Sequence, residues 1–151
     1  TALGCLSKAR YGIAWGAIGA AMACYEAALD YTQTRTQFGK PIAQFQMVQQ
    51  SLVEMLTEIT KSQAFNYRLG QLHDAGVIDF SMISMAKMNA CRVALKVARD
   101  ARNLLGANGI SLEYPVIRHM MNLESVFTYE GTDNMHQLIV GRQVTGLNAF
   151  A

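Results

Sequence analysis

Apolar residues recur along this chain at helical spacing and in long runs. Between about Leu6 and Gln33 the face is made by Ile13, Ala14, Ala17, Ala20, Ala21, Cys24, Ala27, Ala28 and Tyr31, the repeat of an amphipathic helix. A run of roughly 28 residues predicts a helix about 40 Å long. Gly12, Gly16 and Gly19 fall inside it and predict close approach of a neighbouring helix. Gly39-Lys40-Pro41 closes the segment, since glycine and proline do not continue a helix. A second stripe, from about Phe45 to His73, runs through Met47, Val48, Leu52, Met55, Leu56, Ile59, Ala64 and Leu69 and stops at Ala75-Gly76. Asp79 is a candidate N-cap for a third helix carrying Ile83, Met85, Ala86, Met88, Ala90, Val93, Ala94, Val97 and Ala98. Gly106-Ala107-Asn108-Gly109 breaks that helix, a short one follows Pro115, and a last one runs from Thr132 to about Thr145, stopped by Gly146. No strand alternation is visible. The predicted fold is all-α, an antiparallel up-down bundle of four core helices plus a short extra helix, in one domain over residues 1–151.

Composition adds a constraint. Half the chain, 51%, is hydrophobic and only 16% is charged, below the usual quarter. A chain so poor in charge is expected to bury surface against other domains or subunits. The net charge of +2, with no basic run, argues against nucleic acid as a partner. Cys5, Cys24 and Cys91 are scattered without CxxC spacing and read as reduced core thiols of an intracellular protein. The nine methionines read as gap-fillers of the core. His73, His119 and His136 are isolated, and no metal-ligand spacing is present. No stretch is read as long enough to cross a bilayer, and no signal peptide is visible. The chain starts at Thr1, already close to a helix, which suggests a piece of something longer.

Four features break the core pattern. Thr128-Tyr129-Glu130-Gly131-Thr132 places a carboxylate at a glycine-marked break before an apolar helix. On the inner side of such a break a glutamate is poorly hydrated, its neutral form gains ground, and it suits a general base. A glutamate in a solvated loop is the plainer alternative. Arg35-Thr36-Gln37-Phe38-Gly39-Lys40-Pro41, continued by Gln46, combines a forked donor for phosphate, an amide and a flat ring. A helix end with a cation on the dipole would use the same residues. Leu105-Gly106-Ala107-Asn108-Gly109-Ile110 leaves backbone N–H groups open to an anion or an adenosine, although an ordinary helix stop explains it as well. Arg10 stands alone on an uncharged stretch, most simply as a surface cation with a snorkelling stem.

In this order, Arg10, RTQFGKP with Gln46, LLGANGI and EYPVIRHMMNLESVFTYEGT resemble the C-terminal helical domain of the acyl-CoA dehydrogenases over nearly the whole chain. RYGIAWGAIGAA, NGISLEYPVIRHMMNLE and LIVGRQVTGLNAF are most similar to the glutaryl-CoA-oxidising branch of that family. The resemblance implies roles. Glu130 would be the catalytic base that removes the α-proton of the acyl thioester, with Tyr129 and Gly131 lining the pocket. Leu3, Gly4, Cys5, Leu6, Ser7, Lys8, Ala9 and Arg10 would run along the coenzyme A chain, with Arg10 the polar anchor. Thr132 and Asn134 would reach FAD. Arg35, Gln37, Phe38 and Gln46 would contact a flavin held mainly by a neighbouring subunit, as would Asn103, Leu104, Leu105, Gly106 and Ala107 near its adenosine half. Phe150 would be an aromatic near the cofactor. Ala107 stands where many relatives have a second glycine, and Asn103 and Asn134 occupy variable positions.

The resemblance further implies an N-terminal helical domain and a middle β-domain outside this chain. It implies dehydrogenation of glutaryl-CoA followed by decarboxylation to crotonyl-CoA, with an electron-transfer flavoprotein as acceptor. It also implies a homo-oligomer, a dimer of dimers, in the cytoplasm of a bacterium or the mitochondrial matrix of a eukaryote. A non-catalytic helical oligomerisation domain, or a dehydrogenase or oxidase for another acyl-CoA, are the alternatives.

Overall fold

The computed structural model describes residues 2–149, and for residues 2–4 the backbone alone. Phe150 lies outside the described residues. Five helices follow one another: α1 (Ala2–Thr34), α2 (Gln46–Asp74), α3 (Phe80–Leu104), α4 (Pro115–Thr128) and α5 (Asp133–Thr145). Their ends are set by local chemistry. The Asp79 carboxylate accepts from the Ser81 N–H at 2.7 Å and caps α3; the Ser81 hydroxyl, also donating to it, and then this N–H hold its pKa below the ordinary 3.8. Pro115 opens α4, where its missing N–H is not needed. Thr132 Oγ1 accepts from the Met135 N–H at 3.3 Å to start α5, and Gly146 stops it at φ 71°.

The packing is up-down. Tyr11 near the start of α1 donates to the Asn66 carbonyl toward the end of α2, at 3.0 Å. Arg10 lies over the Phe80 ring at the start of α3, 5.0 Å from its centroid. At the other end Tyr31 meets Tyr114, just before α4, edge-on at 5.7 Å. The helix α3 touches all four others and is the most buried. Its seam is built of alanine: Ala86, Ala90, Ala94, Ala98 and Ala101 on α3 face Ala14, Ala17, Ala21 and Ala28 on α1, all 0–2% exposed. Alanine costs no side-chain entropy in a helix and lets two backbones come close. Around the seam Ile18, Met55, Leu69, Val97, Leu105 and Leu123 close the core, each contributing about 1.5–3 kcal/mol by burial.

Several sequence expectations are corrected. The glycines of α1 do not mediate close packing: Gly12, Gly16 and Gly19 are exposed, and a Cβ at any of them would meet nothing within 4 Å. Close approach occurs on the alanine face instead. Of the methionines only Met55 is fully buried, whereas Met47 and Met121 are 81% and 64% exposed. Leu56, Ala64 and Met85, counted into the stripes, also face outward. Cys5 is exposed, not core. Cys24 and Cys91 are buried and free, and burial pushes both thiols up to about 11. The segment Cys5–Thr34 of α1 is long and apolar enough to cross a membrane by length and composition, with mean hydropathy 1.3. In this fold its alanine face serves the core.

A two-stranded antiparallel hairpin, β1 (Thr36–Gln37) and β2 (Lys40–Pro41), follows α1. Its two-residue loop, Phe38-Gly39, has φ of 55° and 78°, the positive pair of a type I′ turn. Arg35 closes the last turn of α1, its N–H donating to the Tyr31 carbonyl at 2.8 Å, and the segment beyond it is a hairpin. A short 3₁₀ turn, Gly106–Ile110, joins α3 to α4. Gly109 inside it packs on the end of α3, where a Cβ would lie 2.3 Å from the Arg102 carbonyl oxygen. Because the obstacle is backbone, Gly109→Ala should lower unfolding stability by about 1–3 kcal/mol in denaturant titration. A change below about 0.5 kcal/mol would mean that this turn moves freely.

Candidate functional site

Helix α4 ends at Thr128, and Tyr129, in extended conformation (φ −81°, ψ 166°), carries the chain out of it. Glu130 then adopts φ 55° and Gly131 φ 99°. A non-glycine residue in the left-handed region costs about 1–3 kcal/mol and persists only where its surroundings impose it. Here they do. Lys87, 1% exposed on α3, donates from Nζ to the Tyr129 and Gly131 carbonyls, both at 2.9 Å. Arg10, 8% exposed on α1, donates from Nε to the Glu130 carbonyl at 2.8 Å. Three consecutive carbonyls of the turn are thus held by two basic side chains from other helices. Arg10 is not the surface cation that the residues alone suggested.

The interior of this turn is polar. His136, on the first turn of α5, is fully buried, and neither ring nitrogen has a hydrogen-bond partner among protein atoms. Burial pushes its pKa down from 6.5 to about 4, and Lys87 and Arg10 add to the shift. The Gly131 backbone opposes this weakly, without hydrogen-bond geometry. Burial also lowers the Lys87 pKa, with Cys91 opposing and Arg10 adding to the shift. Its two carbonyl acceptors match the N–H groups of a neutral amine and equally two of the three on an ammonium. One Glu130 oxygen, Oε2, and Arg10 Nη1 are likewise buried without a protein partner. A Cβ at Gly131 would be crowded, 3.0–3.1 Å from His136 and Arg10, which would have to shift to admit it. Asp133, beside the cap of α5, takes a two-pronged contact from Arg92 at 2.7 Å on each oxygen. That contact holds its pKa below 3.8.

A second group sits at the far end of α1. An open cleft of about 480 Å³ is lined by Tyr31, Arg35, Gln37, Ile42 and residues 103–108. Two segments far apart in sequence therefore share one surface. The Arg35 backbone is bonded to Tyr31 and Ile42, but its guanidinium has no hydrogen-bond or ion-pair partner among the described residues. Phe38 is 91% exposed at the hairpin tip, beside Phe45 at 6.1 Å, and shares an adjoining cleft with Gln46. Asn103, Gly106 and Ala107 are exposed, whereas Leu105 is core and offers only its backbone. The free guanidinium, the amides and the small residues fit the phosphate and adenosine parts of FAD.

Comparison with known proteins then decides the family. The acyl-CoA dehydrogenase C-terminal domain matches residues 1–145. The chain belongs to the acyl-CoA dehydrogenase family. It is 34% identical over 145 residues to glutaryl-CoA dehydrogenase of Desulfococcus multivorans, covering 95% of this chain and 37% of that protein. The crystal structure of glutaryl-CoA dehydrogenase from Mycobacterium smegmatis superposes with a TM-score of 0.96 at 50% identity, over 99% of this chain and 38% of that one. A glutaryl-CoA dehydrogenase from the same organism in complex with FADH2 matches equally well in fold, TM-score 0.96, at 45% identity, over 99% and 39%. This acyl-CoA dehydrogenase domain spans less than two fifths of the length of these relatives.

The expected site residues of the acyl-CoA dehydrogenase domain divide into two sets. Arg10, Tyr129, Glu130 and Gly131 come together, followed by Thr132 at the cap of α5 and Asn134 in its first turn. Cys5, Leu6, Ser7, Lys8 and Ala9 lie on the first turns of α1; Ser7 and Lys8 border a cleft with Phe80. Leu3 and Gly4 are in the same helix. The Arg35 set lies beyond the other end of α1, roughly 36 Å away at the helical rise. Lys87 and His136 were missed. Lysine ordinarily marks an exposed position, yet Lys87 directly follows Ala86 of the buried seam, and that register was the available signal.

His136 generates a pH prediction. Its folded pKa of about 4 lies below the ordinary 6.5, so between those values the unfolded chain takes up a proton that the folded chain does not. The His136 contribution to stability should therefore fall as pH drops from 6.5 to 4, by about 3 kcal/mol, and change no further below. Denaturant titrations across that window check it, with His136→Gln flattening the slope; equal slopes in both proteins would contradict it.

Proposed function

We propose that this chain is the C-terminal domain of an FAD-dependent acyl-CoA dehydrogenase acting on glutaryl-CoA, in which Glu130 is the catalytic base. The observation that carries this is the turn at residues 129–131, where a carboxylate is presented on a strained backbone that two buried basic side chains hold in place. Positioning at this precision is what a proton abstraction from carbon requires. Glu130 takes the α-proton of the acyl thioester while hydride leaves the β-carbon. FAD, when bound, supplies the hydride acceptor. Loss of CO₂ from the oxidised glutaryl chain, with uptake of a proton at the γ-carbon, then yields crotonyl-CoA. Tyr129 and Gly131 line the thioester, residues 3–10 follow the coenzyme A chain, and Thr132 and Asn134 border the flavin.

Arg35, Gln37, Phe38, Gln46 and residues 103–107 would hold the FAD of a second copy. The separation of roughly 36 Å along α1 favours this, since one copy cannot bring its own Arg35 to its own Glu130. The function therefore requires a homo-oligomer, and a dimer of dimers satisfies it. The exposed face of Gly12, Trp15, Gly16, Gly19 and Met22 on α1 supports association whether or not the domain is catalytic. An electron-transfer flavoprotein as acceptor, and a bacterial cytoplasm or mitochondrial matrix as location, complete the reading.

The test is anaerobic flavin bleaching by glutaryl-CoA in the full-length protein. Bleaching that disappears in Glu130→Gln is expected. Bleaching only by other acyl-CoA thioesters would remove glutaryl-CoA as substrate, and an unaffected Glu130→Gln would remove the base. The 151 residues alone should show no flavin-linked oxidation of glutaryl-CoA. Arg35→Ala should weaken FAD retention by about tenfold or more, as expected for one lost charge-assisted contact, and leave thioester affinity nearly unchanged. The reverse order would undo the second-copy assignment.

A further inference from the structure

We propose that Lys87 is a positioning residue for Glu130. The inference rests on the reading of Glu130 as the base and extends it to a residue on a different helix. A peptide group is planar, so the direction of its carbonyl fixes the orientation of the whole plane. Two planes flank the Cα of Glu130: one carries the Tyr129 carbonyl, the other the Glu130 carbonyl. Lys87 Nζ holds the first at 2.9 Å, and Arg10 Nε holds the second at 2.8 Å. Together these bonds set both φ and ψ of Glu130 and hence the direction of its Cα–Cβ bond. Lys87 also holds the Gly131 carbonyl at 2.9 Å, so the plane beyond is fixed by the same nitrogen.

The lysine is itself rigid. It is 1% exposed, and it projects from α3, the helix in contact with all the others. Arg10 comes from α1, where its guanidinium also stacks over Phe80. Within the turn these two side chains hydrogen-bond backbone carbonyls, and Lys87 also lies over the Tyr129 ring, 5.9 Å from its centroid. Neither forms a hydrogen bond or ion pair with the Glu130 carboxylate, so the arrangement directs the carboxylate without binding it.

The experiment uses the full-length flavoprotein with its FAD. Lys87→Met keeps the length of the stem and removes the donors. Stopped-flow flavin reduction by saturating glutaryl-CoA should slow by about tenfold to a hundredfold, the scale of a misplacement near 1 Å. Flavin content and the Kd for crotonyl-CoA should stay within about twofold of the parent protein. The deuterium isotope effect from α-deuterated glutaryl-CoA should be fully expressed, because proton abstraction is the step that slowed. Should the methionine variant fail to assemble, Lys87→Gln, whose amide is too short to span both carbonyls, carries the same expectation. A reduction rate within about twofold of the parent overturns the proposal. So does loss of flavin and of crotonyl-CoA affinity with an unchanged rate per bound flavin, which is the signature of a merely structural lysine. Glu130→Gln is run alongside: if it reduces flavin normally, the base assignment fails together with this inference. If it is silent while Lys87→Met is normal, this inference alone fails.

Discussion

Three successive main-chain carbonyls, those of Tyr129, Glu130 and Gly131, end on two buried basic side chains, and the candidate site depends on that contact. The energies run in its favour. A left-handed glutamate costs about 1–3 kcal/mol, while each buried carbonyl stripped of its donor would cost a comparable amount. Three held carbonyls outweigh one strained residue. Gly131 is favoured next to it for a different reason: its φ of 99° would strain any other residue, and a side chain would push on the adjacent His136 and Arg10. The bundle in turn exists to bring these parts together, since Lys87 comes from α3, Arg10 from α1, and the turn itself from between α4 and α5.

The same geometry sets the two candidate half-sites apart. The helix α1 is a rod of 33 residues with Arg10 near one end and Arg35 just past the other. A rigid rod cannot fold back to unite them. What it can do is present one half-site to each of two partners, which agrees with a chain that leaves Phe38 at 91% exposure and an unpaired guanidinium beside it. On the proposed reading the low charge of the sequence has a physical reason: Trp15 and Met22 on α1 and Met47, Val53, Leu56 and Tyr67 on α2 are exposed apolar side chains that a second copy would cover.

Much of this was legible in the sequence. The second helix falls within one residue of its expected ends at both sides, because its apolar stripe is regular and glycine and proline bound it. Asp79 caps α3 as its carboxylate suggests, and Gly146 stops α5 in the left-handed conformation that glycine allows. The YEGT turn announced itself through glycine and through its resemblance to a known family. Other features left no local trace. Two-residue strands are too short to show alternation, so the hairpin at Phe38-Gly39 was hidden. Periodicity gives a helix its faces but not their neighbours, which is why α1 glycines were assigned the packing that its alanines perform. Lys87 was the largest omission. Its acceptors are carbonyls 42 and 44 residues away, and backbone acceptors carry no sequence signature.

The most direct measurement is a crystal structure of the full-length protein with FAD and a bound, unreactive acyl-CoA. The account predicts a Glu130 carboxylate oxygen about 3–3.5 Å from the thioester α-carbon, the reach of a near-attack geometry. It also predicts that the Arg35 contacting that flavin belongs to a different copy. A Glu130 turned away from the α-carbon with Lys87 still on its carbonyls, or an Arg35 reaching the flavin of its own chain, would contradict it.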